Sequence, residues 1–188
     1  MYIITQDFVD RLAAEGYDLW TISQWTEWLK HVPSLETAAN RLAVAFSDAR
    51  LNGGIGLRLA DAIDSYADVA EQEIAASADQ EHANSSWQRI TPEELNQYHV
   101  APCYFDAEGF LFHLPAFLIA ELTGKHDHDF IRNNLLSVRQ DQNWIPLLNS
   151  QQRDALVEIL ELLKYHPGFT DRPKQLNDQI ARLKLELL

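Results

Sequence analysis

Asp61, Asp64, Asp68 and Glu71 follow one another at intervals of three, four and three residues, a spacing that brings side chains to one side of a helix. Carboxylates placed so have two chemistries open to them. They can coordinate a hard cation such as Mg²⁺ or Ca²⁺, which wants oxygen ligands, or they can stay hydrated and meet a basic partner. Asp79, His82 and His113 extend the first option to a metal-dependent hydrolase site drawn from Asp61, Asp64, Asp79, His82 and His113. No Glu-x-x-His pair, the mark of di-iron bundles, accompanies them, and Asp79-x-x-His82 falls where the helix is expected to fray. The second option is therefore preferred: a non-enzymatic binding module in which Asp61, Asp64, Asp68 and Glu71, with Trp87 grouped beside them, face a basic protein, as in an immunity or antitoxin-type protein.

Other chemistry-bearing residues have plainer explanations. His126-x-His128 with Asp127 and Asp129 supplies ligand types, but two histidines at i, i+2 in a polar loop do not fix a tetrahedral site. His113, between Phe112 and Leu114, reads as a hydrogen-bonded core histidine. Cys103 has no basic neighbour to lower its pKa and is expected to be an inert buried thiol. Asn52-Gly53-Gly54-Ile55-Gly56 is glycine-rich, yet no lysine follows in phosphate-loop register, so it reads as a turn. No cofactor is implied.

Charge narrows the partners. Lys and Arg number 15 against 28 Asp and Glu, a net charge of −13, and no Lys or Arg stands between Arg58 and Arg89. Nucleic acid binding leans on neutralising phosphates, so nucleic acid and membrane surfaces are both disfavoured. No apolar run approaches the roughly 18 residues of a membrane span. Asp7 and Asp10 contradict the order of a signal peptide. A single cysteine suits a reducing compartment, and together these point to the cytoplasm.

The elements that must position these residues are helices throughout. Phe105 to Phe117 concentrates large apolar side chains behind Asp106, an N-cap candidate. From there the pattern stays apolar nearly all round to Leu122, which predicts a central helix kinked at Pro115. The rival is an extended Tyr104–His113 with a helix starting at Pro115. Around it the pattern predicts about seven or eight helices in an all-α domain. Asp7–Glu15 turns Phe8 and Leu12 inward. Trp25, Trp28, Leu29 and Val32 keep helical spacing up to Pro33. Ser34 caps a helix to Arg50 whose alanine-rich face allows a close approach.

Further on, Arg58 to about Ala76 forms a single helix with Leu59, Ile63, Tyr66, Ala67, Ala70 and Ile74 inward. Glu81–Ser86 is expected to loop. Thr91-Pro92-Glu93-Glu94 is a capping box. Asp141–Pro146 reads as irregular, Asn149 or Ser150 starts a helix stopped at His166-Pro167-Gly168, and the last helix carries Leu176, Ile180, Leu183 and Leu187. Residues 1–52 read as an N-terminal extension to a main domain of 53–188, or the two as one continuous domain. Trp20, Trp25 and Trp28 are assigned to core packing, with a structural-subunit interface as the competing role.

Leu59-Ala60-Asp61-Ala62-Ile63-Asp64-Ser65-Tyr66, Asp79, Trp87, Asp106 through Phe117, and Leu148 to Arg153 together resemble a bacterial domain family of unknown function. Such members share an acidic A-x-x-I-D-x-Y helix, a downstream Trp, a D-A-E-G-F-x-F-x-L-P-A core and a late L-T-x-x-Q-R helix start. The resemblance covers about residues 55–165. This chain has Ala75-Ala76-Ser77 where members often have Ala-Ala-Arg, so no role for that arginine carries over. The resemblance implies no activity.

Overall fold

The computed structural model describes residues 2–83 (for 82 and 83 the backbone alone), 86–137 and 143–185. Among the described residues there are nine α-helices and no strand. They are α1 Gln6–Ala14, α2 Leu19–Leu29, α3 Val32–Ala45, α4 Leu57–Asp64, α5 Val69–Ala83, α6 Pro92–Gln97, α7 Ala107–Leu122, α8 Ser150–Leu163 and α9 Pro173–Leu185. Single 3₁₀ turns and one π-helical turn, Ile131–Leu135, join them.

α7 is the centre. It is buried along almost its whole length, from Gly109 and Phe110 through Phe112–Leu118 to Leu122, because a helix apolar all round must be covered on every side. Pro115 lies within it and the helix runs on through, so the start is Asp106 and not Pro115. Phe110 packs 5.0 Å from Trp144 and 5.9 Å from Phe130, which also stacks on Phe117 at 5.0 Å.

The N-terminus of α7 is held by one carboxylate. Oδ1 of Asp106 accepts the amide of Gly109 at 2.8 Å, capping the first turn, and the amide of Ile55 at 3.0 Å, docking the loop that follows α3. The glycine-rich turn therefore does more than reverse the chain. Its backbone lies so close to α7 that a Cβ on Gly109 would sit 2.1 Å from the Ile55 carbonyl oxygen.

α3 packs along α8, and α8 along α9. Arg41 of α3 pairs with Glu158 of α8 at 2.7 Å, and Lys184 of α9 reaches Glu161 of α8 at 3.0 Å. The chain start is stitched in as well. Ile3 donates its amide to the Leu122 carbonyl (3.1 Å), and the Trp28 indole donates to the Tyr2 carbonyl (2.7 Å). His166 sits among the rings of Tyr2, Trp25 and Trp28 at 4.7, 5.2 and 4.8 Å. One hydrophobic core includes side chains from both sides of residue 52.

Several boundaries differ from expectation. Pro33 sits in the first turn of α3, where its missing amide hydrogen is not needed, instead of stopping α2. α3 ends at Ala45, not Arg50, and α5 runs on to Ala83. In α1 Leu12 is buried and Phe8 packs half-buried against the core, as expected, and Val9 is buried as well. Trp28 is buried and Trp25 half-buried, but Trp20 is 69% exposed. Asp141 and Leu187 lie outside the described residues.

Glu121 is a buried acid near the end of α7. Its carboxylate accepts the Tyr2 hydroxyl at 2.9 Å and the Ile131 amide at 2.7 Å, while burial, outweighing both bonds, pushes its pKa up to about 7.

Gly109→Ala should cost about 1–3 kcal/mol in urea unfolding, because the added methyl meets backbone, which does not yield as a flexible side chain does. For Glu121 the folded state holds the proton more tightly than the unfolded chain, whose carboxyl titrates near 4.5. Its stabilising effect is thus full below pH 4.5 and is lost as pH rises through about 7, at up to ~1.4 kcal/mol per pH unit. The stability of the wild type relative to Glu121→Gln should therefore fall with rising pH across that window, read from urea titrations of both.

Candidate functional site

The segment 57–83 is a hairpin of two helices, not one. α4 ends in a Schellman motif in which the Tyr66 amide donates to the Ile63 carbonyl (3.1 Å) and the Ala67 amide to the Ala62 carbonyl (2.9 Å). Tyr66 occupies the left-handed position at φ +55°. The chain then restarts at once. Asp68 Oδ1 accepts the Glu71 amide (2.9 Å) and Glu71 Oε2 accepts the Asp68 amide (3.2 Å), a reciprocal cap on α5. The expected continuous stripe is thus broken by a corner, and Asp68 and Glu71 belong to the turn. The signal was present as Asp68-Val69-Ala70-Glu71, an N-cap residue followed at the third position by Glu.

The corner also overturns the inward face assigned to this segment. Tyr66 is 95% exposed, Val69 72% and Ile74 70%. Asp61, Asp64, Asp68 and Glu71 are all exposed beside them. Asp64 accepts a hydrogen bond from the Tyr104 hydroxyl, and that bond raises the Tyr104 phenol above its ordinary pKa. Cys103, next in the chain, is exposed and not buried as expected.

Asp79 turns the other way. It is buried, its Oδ2 accepts the Leu59 amide at 2.8 Å and its Oδ1 the Arg58 amide at 3.1 Å, so it caps the start of α4 from α5. Burial pushes its carboxyl above the ordinary value, against the pull of those amides and of the Arg58 guanidinium. Arg58 bridges Asp79 at 3.5 Å and Glu94, the capping-box acid of α6, at 3.3 Å. Gly56 leaves room for this carboxylate, since a Cβ there would fall 2.4 Å from Asp79 Cγ.

The remaining candidates do not converge with Asp61 and Asp64. His113 Nδ1 lies 2.7 Å from the Gly109 carbonyl, and its ring stacks on Phe105 at 4.5 Å, in the core. The side chain of His82 lies outside the described residues. Trp87 is buried with its indole donating to the Phe46 carbonyl at 2.7 Å, so it is not part of an exposed face with Asp61, Asp64, Asp68 and Glu71, contrary to expectation. The His126–His128 loop is tied to α6 by Asn96, which bonds the Lys125 carbonyl and the Asp127 amide, both at 2.9 Å. Its His128 stacks on His99 at 3.9 Å, and burial lowers the pKa of His126. Among the described residues no three His, Cys, Asp or Glu side chains are placed to hold a metal ion.

Fold and site together define an all-α protein with an acidic, aromatic-tipped helical corner. A model of a family of unknown function (DUF6714) matches residues 35–181, and the chain belongs to that family. The match reaches further in both directions than the stretch that carried the resemblance. No curated protein and no solved structure matches the chain.

Tyr66 stands where glycine costs least. Tyr66→Gly should leave the fold intact and raise stability by about 0.5–1 kcal/mol, measured as a higher midpoint in thermal melts.

Proposed function

We propose that the protein is a non-enzymatic binding module whose α4–α5 corner receives a basic protein partner in the cytoplasm, in the manner of an immunity or antitoxin-type protein. The observation that carries this is Tyr66, 95% exposed and held at φ +55°. A bulky side chain in the left-handed region is strained, and strain of that kind is concentrated at working sites. Tyrosine is also among the residues enriched in binding hot spots. Val69 and Ile74 add apolar surface, while Asp61, Asp64, Asp68 and Glu71 supply the charge that steers a basic surface into contact.

Supporting this further, no helix among the described residues is long and apolar enough to cross a membrane. The alternative of a metal-dependent hydrolase lacks comparable support, because Asp79 is committed to capping α4 and His113 to the core.

Capture from a native lysate by the wild type, by Tyr66→Ala, and by a variant with Asp61, Asp64 and Asp68 changed to Asn and Glu71 to Gln tests the proposal. The amides keep the caps at the corner while removing its charge. A basic protein should be retained by the wild type, released by added salt, and held about tenfold more weakly or worse by either variant. Equal retention by all three would remove the idea.

A further inference from the structure

α3, α7 and the segment leading into α6 enclose a groove of about 610 Å³ that shares no residue with the α4–α5 corner. Ala39 and Ala43 of α3 line it with Ala116 and Ala120 of α7, and Trp87 and Leu95 contribute larger apolar surface. A volume in the roughly 300–1,000 Å³ range, mostly apolar with a few polar groups, is the usual form of a small-molecule site.

Hydrogen bonds orient the groove. The Ile3–Leu122 and Trp28–Tyr2 bonds set the start of α3 beside the end of α7, and the Trp87–Phe46 bond marks the opposite end of α3. Glu36, in the first turns of α3, and Lys125, just past α7, therefore line the groove at the same end, away from Trp87. Both are exposed, and among the described residues neither side chain has an ion pair or hydrogen bond. A groove with opposite unpaired charges at one end and apolar walls beyond them is complementary to a zwitterion with an apolar body.

We propose that this groove binds a small apolar zwitterion of about dipeptide size. Its carboxylate meets Lys125, its ammonium meets Glu36, and its apolar side chains lie between the alanines toward Trp87. Ala43 and Ala120 leave the space that the ligand's apolar side chains fill, and leucine at either position would occupy it.

The probe is the free dipeptide leucyl-leucine, titrated into the full chain and followed by NMR shifts of the amides lining the groove and of the Trp87 indole. Saturable shifts confined to the groove are expected, with about tenfold weaker binding in Ala43→Leu and, separately, in Ala120→Leu, each checked for an unchanged circular dichroism spectrum. Amidating the carboxylate should weaken binding to the wild type several-fold but make no difference to Lys125→Ala, and acetylating the amine should do the same with respect to Glu36→Gln. Three outcomes would each overturn the proposal. They are no saturable shifts in the wild type, undiminished binding in two correctly folded leucine variants, and shifts at these residues that depend on protein concentration alone with a dimer mass in light scattering, which would assign the groove to a second copy.

Discussion

A single oxygen, Oδ1 of Asp106, joins two parts of the chain that are far apart in sequence. By accepting the amides of Gly109 and Ile55 it both starts the central helix and anchors the loop that carries the chain from α3 to α4. The glycine at 109 is the other half of the device, because only a residue without Cβ lets the Ile55 carbonyl come so near. Free amides in the first turn of a helix must find acceptors, and here the acceptor also satisfies a donor from outside the helix. The position of α4, and with it the acidic corner, depends on where this loop is tied.

The same economy recurs at α4. Asp79, arriving from the far end of α5, caps the start of α4 and is balanced by Arg58, which reaches on to the capping-box acid of α6. The hairpin is thus closed at its base by a buried carboxylate and left open at its tip. The acids named so far differ in what they hold. Asp79 and Glu121 hold backbone amides from within the body of the protein and Asp106 does so from its surface, while Asp61 and Asp64 stay exposed and, among the described residues, accept no backbone amide. Asp68 and Glu71 do both, since they cap α5 through its backbone and keep their charge at the surface.

The corner and the groove are two different kinds of surface. At the corner the exposed Tyr66 is accompanied by the exposed carboxylates of Asp61, Asp64, Asp68 and Glu71. In the groove the walls are concave and apolar, with charge confined to one end. α7 contributes to the second only, through Ala116 and Ala120, whose small side chains leave space that larger residues would have closed. The alanine-rich face of α3 was expected to allow a close approach of helices. α3 does pack along α8, while beside α7 its Ala39 borders open volume instead.

Local chemistry was legible from the residues themselves. Asp106, Thr91 and Asn149 each start a helix as their types and spacing require, and the all-apolar stretch after Asp106 became the buried axis. The end of α4 at Tyr66 is not legible in the sequence, because a tyrosine occupies the place where glycine would have announced it and the apolar periodicity continues across the gap. The fates of the acids were not legible either. Asp79 is buried by partners 20 and 21 residues away, and Glu121 by one 119 residues away. Sequence alone determined the helix starts at Thr91, Asp106 and Asn149 and that the chain is strongly negative, since caps act over a few residues. The expected cap Ser34 instead lies inside α3, which starts at Val32. Tertiary structure alone decided which carboxylates are taken into the body and which are left to solvent, because the free energy of a charge depends on what distant segments place around it.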